Sequence, residues 1–484
     1  MSDIGITSYG AYIPKKRLNR KAIADANAWM NGALRGMGKG TKAMCNWDED
    51  ALTMAVEAAR NCVAGSDTSE LSALYFASTT HPFADRHNAG VITAALNMPE
   101  DIRSLDIGGT QRAGTSALAE GLAGVGNGTT LVVAADARPA KPGSVQEMQF
   151  GDAAAAVTLG AENVIAKYLG GHSVALDLID HYRAADGEGY DYALEDRWVK
   201  EMGYDVIVPE TGKKALEKAG LTGADIDHFV MPTRQRRLDG NMAKALGVSP
   251  DAVRGNLNPE IGEAGTAHAL VMLVDALEAA APGDKIMVIG FGQGTDVLIF
   301  EATEALKTLG ARRGVAATKA AGTEENIYTR YLSFRQILPY EWGIRAERDN
   351  RTAQSTFFRK RDSITSFMGG KCEQCGTLQY PKTRVCVNPN CQAIETQVDH
   401  PFADMPASVK TFTEDNLAYS PSPPYLYGNV AFKEGGNIFM EMTDFEPGVL
   451  EIGTDLKMVF RIKDFDHKRG FRRYFWKAAP ADNS

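Results

Sequence analysis

Two patterns of apolar and polar positions alternate along residues 1–300, and the pair of patterns occurs twice. MAVEAARNCVAGSDTSELSALYFAST (54–79) has the spacing of an Ala-rich helix, then a Gly-containing turn and a short apolar strand. GKKALEKAGLTGADIDHFVMPT (212–233) repeats this order. A second helix-and-strand unit, opening with Gly-Thr, starts at Gly114 and again at Gly265. The repetition predicts an internal duplication.

The strands of this duplication are continuous apolar runs, which are typical of parallel sheets that are covered on both faces. Two such halves side by side predict an α/β fold with five layers, α/β/α/β/α. The segment Ala264–Ala281 is apolar on nearly all sides, so we place it as a helix in the central layer. We expect the first half to span residues 1–165 and the second half to span residues 166–305.

The pattern changes in the last third of the chain. Residues 306–367 include a stretch in which aromatic side chains alternate with Arg and Lys, and we expect a helical connector there. An exposed amphipathic linker is the alternative. From Met368 onward, short strands separated by Gly- and Pro-containing turns predict an all-β module. We expect a rubredoxin-like zinc ribbon over residues 368–395 and a small barrel of the OB type over residues 396–484.

The proposed ribbon has four cysteines with the spacing C-x2-C-x10-C-x4-C. Each pair can place two thiolates on one tight turn, and two such turns complete a tetrahedral site of four sulfur atoms. Four protein thiolates leave no open position for a substrate, so the zinc that we predict is structural. The alternative is four thiols without metal. The predicted ligands are Cys372, Cys375, Cys386 and Cys391.

Composition narrows the class of function. The chain has 484 residues, 44% of them hydrophobic and 23% charged, which is typical of a globular protein with two or three domains. Its net charge of −9 argues against a nucleic acid or an anionic membrane as partner. We find no secretory signal and no apolar run near the roughly 18 residues of a membrane span. With its cysteines clustered as for a metal, we expect a cytoplasmic protein.

Several motifs resemble the thiolase superfamily in their order and spacing, and within it the branch of ketoacyl synthase III and HMG-CoA synthase. They are GAYIPKKRL, ASTTHPFA, DIGGTQRAGTSAL, LVVAADARPA, FGDAAAAVTLG and GFGQGTD. The C-terminal module resembles an acyl-CoA-associated OB-fold family that is often fused to such proteins or encoded beside them. The resemblance implies the duplicated five-layered core, coenzyme A or an acyl-CoA as substrate, and a homodimer.

The resemblance also identifies a nucleophile that this chain lacks. In the superfamily, a cysteine at the start of the buried helix takes an acyl group from CoA as a thioester. Archaeal-type HMG-CoA synthases read roughly C-K-A-G-T there, whereas this chain has Gln111 in place of the cysteine. The expected histidine, asparagine and glutamate are replaced by Thr233, Glu263 and Thr79. An amide cannot form an acyl thioester, so we do not expect the family's first half-reaction.

The remaining polar residues are candidates for chemistry without a covalent intermediate. Gln111 could hold a carboxylate or a developing enolate oxygen at a helix N-terminus, and related ketosynthase-like domains with Gln at this position act as decarboxylases. Glu263 and His268 are candidates for base and acid, and His81 is a third candidate. Helix capping for Glu263 and structural hydrogen bonding for each histidine are the alternatives. Candidates for binding substrate or an oxyanion are Arg112, Thr233, Gly292 and Gly294.

These observations predict a CoA-dependent enzyme that forms or cleaves a C–C bond of a β-keto acid or β-keto acyl-CoA. We expect retro-Claisen cleavage or acyl transfer without a covalent cysteine intermediate. We interpret Cys45 and Cys62 as structural, because neither has a histidine close to it in the sequence. Two alternatives stay open: a retro-aldolase that acts on an acyl-CoA, and an acyl-CoA-binding scaffold without catalysis of its own.

Overall fold

The computed structural model describes residues 3–193, 195–351 and 353–482, which form two compact units. Unit 1 comprises the described residues up to Asn46, then Asp50–Thr93 and Met98–Arg335. Unit 2 comprises Trp47–Glu49, Ala94–Asn97 and the described residues from Gln336 onward. The connector predicted over residues 306–367 is therefore divided between the units. Within the described ranges, no helix has the length and apolar character needed to cross a membrane.

The strands of unit 1 fall into one large and one small sheet. They are β1 (Gly5–Tyr12), β2 (Lys16–Asn19), β3 (Thr41–Met44), β4 (Leu71–Ala77), β5 (Arg103–Ile107), β6 (Thr129–Ala137), β7 (Asp152–Gly160), β8 (Ala166–Ala175), β9 (His228–Val230), β10 (Lys285–Phe291), β11 (Gly294–Ala302) and β12 (Thr323–Glu325). The small sheet has the order β12-β2-β3.

The helices of unit 1 range from single turns to about three turns. They are α1 (Arg20–Asn27), α2 (Ala51–Val63), α3 (Ala89–Ala95), α4 (Ala113–Gly124), α5 (Val145–Gln149), α6 (Asp196–Trp198), α7 (Val208–Ala219), α8 (Leu238–Ala245), α9 (Asn258–Ile261), α10 (His268–Ala279), α11 (Ala305–Thr308), α12 (Val315–Ala320) and α13 (Tyr328–Phe334). A π-helix, Val199–Ile207, joins α6 to α7.

The large sheet confirms the duplication. Its strand order is β5-β4-β6-β7-β1-β8-β11-β10-β9, in which β4-β6-β7-β1 of the first half corresponds to β9-β10-β11-β8 of the second. The prediction of parallel sheets is only partly correct. Strand β4 is parallel to β5 and β6, and β9 is parallel to β10, but the other pairs are antiparallel. The difference arises because β7 and β11 each return beside the strand that precedes them.

Helices α4 and α10 lie between the two half-sheets, and their contacts with each other and with strands of both halves form the central layer. Helix α2 packs on β1 and β7, and α7 packs on β8 and β11, as outer layers. A Cβ atom at Gly114 would lie 2.4 Å from the carbonyl oxygen of Thr266, so glycine permits the close approach of the two helix starts. The helix predicted over Ala264–Ala281 consists of a 3-10 turn followed by α10.

In its described residues, unit 2 has two short α-helices, a 3-10 turn at Ile344–Ala346 and two antiparallel sheets. They are built from α14 (Gln354–Arg359), α15 (Arg361–Ile364), β13 (Met368–Cys372), β14 (Leu378–Gln379), β15 (Gln397–Pro401), β16 (Ala407–Asp415), β17 (Tyr425–Phe432), β18 (Asn437–Glu441), β19 (Asp455–Asp466) and β20 (Phe471–Pro480). The sheet orders are β14-β13-β15 and β18-β17-β16-β19-β20. A parallel bridge between Met442 and Ala478 joins the two edges of the larger sheet. The C-terminal module is thus all-antiparallel in its strands, with a buried core that includes Phe367, Phe460 and Trp476.

Candidate functional site

The turn before α4 carries Gln111 and is in contact with the Gly-rich loop between β10 and β11. The carbonyl of Gly292 accepts hydrogen bonds from Thr110 Oγ1 at 2.6 Å and from Arg112 Nε at 3.1 Å. A Cβ atom on Gly292 would lie 2.8 Å from Thr110 Oγ1 and 3.0 Å from the backbone nitrogen of Gln111. The loop and the turn therefore hold each other in position, and only glycine fits at this contact.

A small pocket opens beside this turn, with an internal volume of about 60 Å³. A water molecule needs roughly 10–15 Å³ by the same measure, so the pocket accepts a few waters or a small acyl group. Its lining comes from both halves of the duplication and is mainly polar. The polar side chains include those of Gln111, Arg138, His181, Thr233, Arg234 and Glu263.

Gln111 lies between a histidine and a threonine. Its Nε2 is 3.2 Å from Nε2 of His181 and 3.4 Å from Oγ1 of Thr79. The other ring nitrogen of His181, Nδ1, is 2.9 Å from Oδ2 of Asp180. The Oε1 atom of Gln111 is buried and has no hydrogen-bond partner among the described residues. The amide therefore has an unused acceptor at the start of a buried helix.

A buried carboxylate, Asp136 at the end of β6, organises the neighbouring loop. It accepts hydrogen bonds from the hydroxyls of Ser78, Thr79 and Thr80 at 2.8–3.0 Å and from the backbone N–H of Thr266 at 2.8 Å. Thr79 stands where the resemblance predicts a glutamate, and its hydroxyl donates to Asp136. Its oxygen can accept from Gln111, so Thr79 positions the amide without a charge of its own.

Glu263 is held in a buried ion network. Its Oε2 is 2.5 Å from Nη1 of Arg138. The other terminal nitrogen of Arg138, Nη2, is 2.6 Å from Oδ2 of Asp191. Arg183 contacts the other oxygen of Asp191 at 2.6 Å. Burial alone would raise the pKa of Glu263, but the cationic side chains of Arg138 and then Arg234 lower it overall. A carboxylate with a lowered pKa is a weak proton acceptor, so the geometry favours a structural role over the base role suggested by the sequence.

The two histidines singled out in the sequence are occupied elsewhere. His268 is fully buried, its Nδ1 accepts the N–H of Ala264 at 2.9 Å, and its Nε2 is 2.8 Å from the carbonyl of Asn256. Burial lowers its pKa. Both ring nitrogens thus take part in backbone hydrogen bonds, which leaves none for the acid role. His81 packs edge-on against Phe76 at 4.9 Å and is not among the described residues that line the pocket.

The predicted oxyanion and substrate residues also have internal partners. Arg112 contacts Asp296 at 2.9 Å as well as Gly292, which ties the start of α4 to β11. The N–H of Gly292 donates to the carbonyl of Gly294 at 3.0 Å, so this amide is already used. Gly294 lies in the left-handed region (φ 123°) and begins β11. Of this group, Thr233 is the residue that lines the pocket.

Five polar residues that line the pocket were not predicted from the sequence: Arg138, Asp180, His181, Tyr204 and Arg234. Asp180 and His181 lie in an irregular segment after β8, about seventy residues from Gln111, where periodicity carries no information on contacts. Tyr204 stacks on Phe291 at 4.1 Å, and burial raises its pKa. Tyr204 lies in the π-helix Val199–Ile207, and π-helical turns are frequent at functional sites. The amphipathic sequence pattern does not distinguish this segment from an ordinary α-helix.

The four clustered cysteines of unit 2 come together. Their Sγ atoms all lie within 4.8 Å of one another, at 3.9 Å for Cys372 and Cys391 and 3.5 Å for Cys375 and Cys386. A disulfide requires about 2.05 Å, and these cysteines are free. Tetrahedral zinc with Zn–S bonds of about 2.3 Å separates its sulfur ligands by roughly 3.8 Å. Gly376, at φ 73°, allows the turn after Cys375. The arrangement fits a metal–thiolate site.

The isolated cysteines lie in the interior of unit 1. Cys62 is fully buried in α2, and burial raises the pKa of its thiol to about 12. Cys45 is also buried, and its Sγ lies 3.7 Å from Sδ of Met54. Neither lines the pocket in the described residues. Both positions fit the structural role that the sequence predicts.

Known proteins with this pattern support the assignment of the core. Residues 216–299 match the family model of the 3-oxoacyl-[acyl-carrier-protein (ACP)] synthase III C-terminal domain. The solved structures of an HMG-CoA synthase complexed with CoA and of 3-oxoacyl-(acyl carrier protein) synthase III from Pseudomonas aeruginosa share the fold. Their TM-scores are 0.60 and 0.55, with 17% and 19% identity. The matches cover 71% and 62% of this chain, and 92% and 99% of those chains.

Sequence similarity is stronger than these structural matches indicate. The hydroxymethylglutaryl-CoA synthase of Aeropyrum pernix is 30% identical over 326 residues, which cover 64% of this chain and 88% of that protein. That of Methanothermobacter thermautotrophicus is 30% identical over 345 residues, which cover 69% of this chain and 97% of that protein. The aligned length includes nearly all of the relatives, so the chain belongs to the hydroxymethylglutaryl-CoA synthase family.

Proposed function

We propose that this protein is a CoA-dependent enzyme that forms or cleaves a C–C bond next to a carbonyl group, without an acyl-cysteine intermediate. The observation that carries the proposal is Gln111. An amide replaces the nucleophile at the start of α4, and its Oε1 is buried at a polar pocket with no hydrogen-bond partner among the residues that the structure describes. Relatives are named hydroxymethylglutaryl-CoA synthase, and one similar structure is complexed with CoA. Retro-Claisen cleavage or acyl transfer on a β-keto acid or β-keto acyl-CoA fits these observations.

The chain's own groups supply binding and electrostatic stabilisation. The amide N–H groups of Gln111, together with the positive end of α4, favour an oxygen that gains negative charge. Arg234 lines the pocket, and its positive charge helps to lower the pKa of Glu263. This cation provides a contact for the carboxylate of a β-keto acid. None of the described residues that line the pocket carries a thiol, so in this proposal the group that accepts the acyl fragment is CoA itself or water.

Two other functions are candidates on specific observations. A retro-aldolase needs a base and an oxyanion site but no acyl acceptor, which suits a pocket whose described lining residues include no cysteine. An acyl-CoA-binding scaffold is favoured by the internal ion pair of Glu263 and the occupied ring nitrogens of His268. A turnover assay separates these functions because a scaffold binds acyl-CoA without consuming it.

The test is a panel of β-keto thioesters, free β-keto acids and β-hydroxyacyl-CoA substrates, each assayed with and without CoA. Dependence on CoA indicates acyl transfer, and turnover of the β-hydroxyacyl substrates indicates retro-aldol cleavage. Gln111→Ala should lower turnover by roughly ten- to a thousandfold, the scale for loss of one oxyanion-type donor. Gln146→Ala, on α5 outside the pocket lining, is the matched control. Wild-type binding of acyl-CoA without turnover of any panel member would support the scaffold instead.

We also propose that unit 2 contains one structural zinc held by the four clustered cysteines, and a barrel of the OB type over residues 396–484. The support for zinc is the set of thiol distances. The support for the barrel is the strand order together with the parallel bridge between Met442 and Ala478. Zinc, when bound, would cross-link the two turns and take no part in the reaction. The domain limits given above and a cytoplasmic location remain part of this proposal.

A homodimer through unit 1 completes the proposal. It rests on the resemblance to the thiolase superfamily. There, the strands and helices around the segment that corresponds to FGDAAAAVTLG (150–160) and around the turn before α4 usually contact the same elements of the second subunit across a two-fold axis. Sedimentation velocity at micromolar concentration should give a mass near twice that of the chain. A monomer under these conditions would contradict this part of the proposal while leaving the assignment of the pocket intact.

A further inference from the structure

We propose that His181 is the proton-transfer residue of the pocket and that Asp180 is the residue that positions it. The inference rests on the proposed function and adds the acid–base group that the candidates from the sequence do not supply. His181 is 3.2 Å from Gln111 on one side and 2.9 Å from Asp180 on the other. The side chains of His181 and Asp180 are each 11% exposed, so the pair is largely sheltered but reachable from the pocket.

The hydrogen-bond partners determine the tautomer of His181. The carboxylate of Asp180 accepts hydrogen bonds, so Nδ1 carries the proton that joins the two residues. In the neutral ring, Nε2 is then a lone-pair acceptor, and it can receive an N–H of the Gln111 amide. The structure has this orientation, with Nε2 of Gln111 beside His181 and Oε1 without a partner within the described part of the chain. The arrangement presents a basic nitrogen beside the group that we propose to hold the substrate oxygen.

The amide of Gln111 can serve both protonation states of His181. When Nε2 is protonated, rotation of the amide by a half turn brings Oε1 to Nε2 as an acceptor, and the NH2 group moves away. The same side chain therefore stabilises the neutral ring and the imidazolium ring, each with one good hydrogen bond.

Other groups around the pocket are less suited to the role. Glu263 is paired with Arg138, both ring nitrogens of His268 are used by the backbone, and burial raises the pKa of Tyr204. No thiol lines the pocket in the described part of the chain. His181 is thus the pocket residue whose basic nitrogen becomes available as soon as a substrate oxygen takes over the amide of Gln111.

The proposed step balances for cleavage of a β-keto substrate by CoA. Nε2 of His181 takes the proton of the CoA thiol while sulfur attacks the β-carbonyl carbon, and the C–S bond forms. As the C–S bond forms, the π electrons of the β-carbonyl move onto its oxygen to give an alkoxide. The C=O bond then re-forms as the C–C bond to the α-carbon breaks, and the electron pair of that bond moves into an enolate whose oxygen is stabilised by the Gln111 amide. The proton on Nε2 is delivered to the α-carbon. The ring ends neutral, and no oxidant or reductant is required.

The test compares His181→Gln with His172→Gln. Glutamine at position 181 retains hydrogen bonding but cannot transfer the proton, so kcat should fall by roughly a hundred- to ten-thousandfold, with KM for CoA nearly unchanged. His172, on β8 beside Lys218, lies outside the pocket lining and should leave kcat at the wild-type value. A His181→Gln enzyme with wild-type kcat would overturn the proposal. Wild-type protein inactive on the whole panel would instead count against the proposed function.

A measurement without turnover tests the positioning role of Asp180. Long-range 1H–15N spectra of ligand-free protein, labelled at histidine, should show the Nδ1–H tautomer for His181. The signals of His181 are assigned as those that are missing from the spectrum of His181→Gln. Asp180→Asn should convert it to the Nε2–H tautomer that is commoner in water and lower kcat with less effect on KM. A wild-type His181 in the Nε2–H form would overturn the proposal even if no substrate is found.

Discussion

Arg138→Gln is expected to cause a large loss of stability in unit 1. Arg138 is 2% exposed, and its guanidinium contacts Asp191 and Glu263, whose side chains are 3% and 9% exposed. Asp191 keeps Arg183 in the variant, whereas Glu263 loses its ion-pair partner. Removal of one partner from a buried ion pair costs about 3–5 kcal/mol, because the other charge stays buried and uncompensated. We therefore expect the free energy of unfolding to fall by about this amount at pH 7.

The loss should depend on pH in a defined direction. In the wild type, the folded-state pKa values of Glu263 and Asp191 are lowered, so their ion pairs stabilise the fold above the unfolded pKa values of about 4.3 and 3.9, and lose this effect as pH falls through the folded values. In Arg138→Gln, the strongest pKa-lowering charge is gone, so we expect burial to raise the folded pKa of Glu263 above its unfolded value despite the remaining charge of Arg234. The variant then gains stability as pH falls and Glu263 becomes neutral. The difference in the free energy of unfolding between the wild type and Arg138→Gln should therefore be smaller at pH 5 than at pH 7.

Urea unfolding followed by far-ultraviolet circular dichroism at both pH values measures this difference. Lys141→Gln is the matched control, because its ion pair with Glu188 is exposed and should contribute little. The double variant Arg138→Gln, Glu263→Gln should recover part of the stability by removing the uncompensated carboxylate. A loss below about 1 kcal/mol at pH 7, or no recovery in the double variant, would refute the assignment of a buried, charge-dependent network.

Three further predictions follow from the other contacts. Purified protein should contain one zinc per chain by elemental analysis. Cys375→Ser should lose the zinc and unfold the ribbon, while Cys62→Ala should retain it. Zinc-free wild-type protein from zinc-replete medium would contradict this prediction. Incubation with acetyl-CoA should leave the intact mass unchanged, and an acyl adduct on Cys45 or Cys62 would contradict their structural assignment. Gly292→Ala should displace the turn that carries Gln111 and lower kcat by about a hundredfold. Gly240→Ala, where an added Cβ meets nothing within 4 Å, should leave kcat unchanged. Equal activities of the two variants would argue against a role for the contact between Gly292 and the Gln111 turn.

The sequence predicted the layered core and its duplication because buried strands and helices leave periodic patterns that survive without knowledge of contacts. It did not predict the direction of β7 and β11, since an apolar run shows burial but not which way the strand enters the sheet. The family motif located Gln111. His181 could not be found this way, because it lies in an irregular segment and reaches Gln111 only through folding. The sequence placed Glu263 and His268 near the site, but only the structure shows which of their polar atoms are already bonded.

The two copies of the duplicated core differ at the turn that precedes the central helix. Gln111 precedes Gly114 by three residues, and the position equivalent to it before Gly265 is Gly262. A Cβ atom at Gly262 would lie 2.8 Å from the backbone nitrogen of Gly151, and its φ of 81° disfavours any larger residue. The second copy is therefore closed to the acquisition of a reactive side chain at that point, whatever single substitution occurs there. The second copy contributes to the pocket through other positions, among them Thr233, Arg234 and Glu263, whereas the turn before the central helix can carry a functional side chain in the first copy alone.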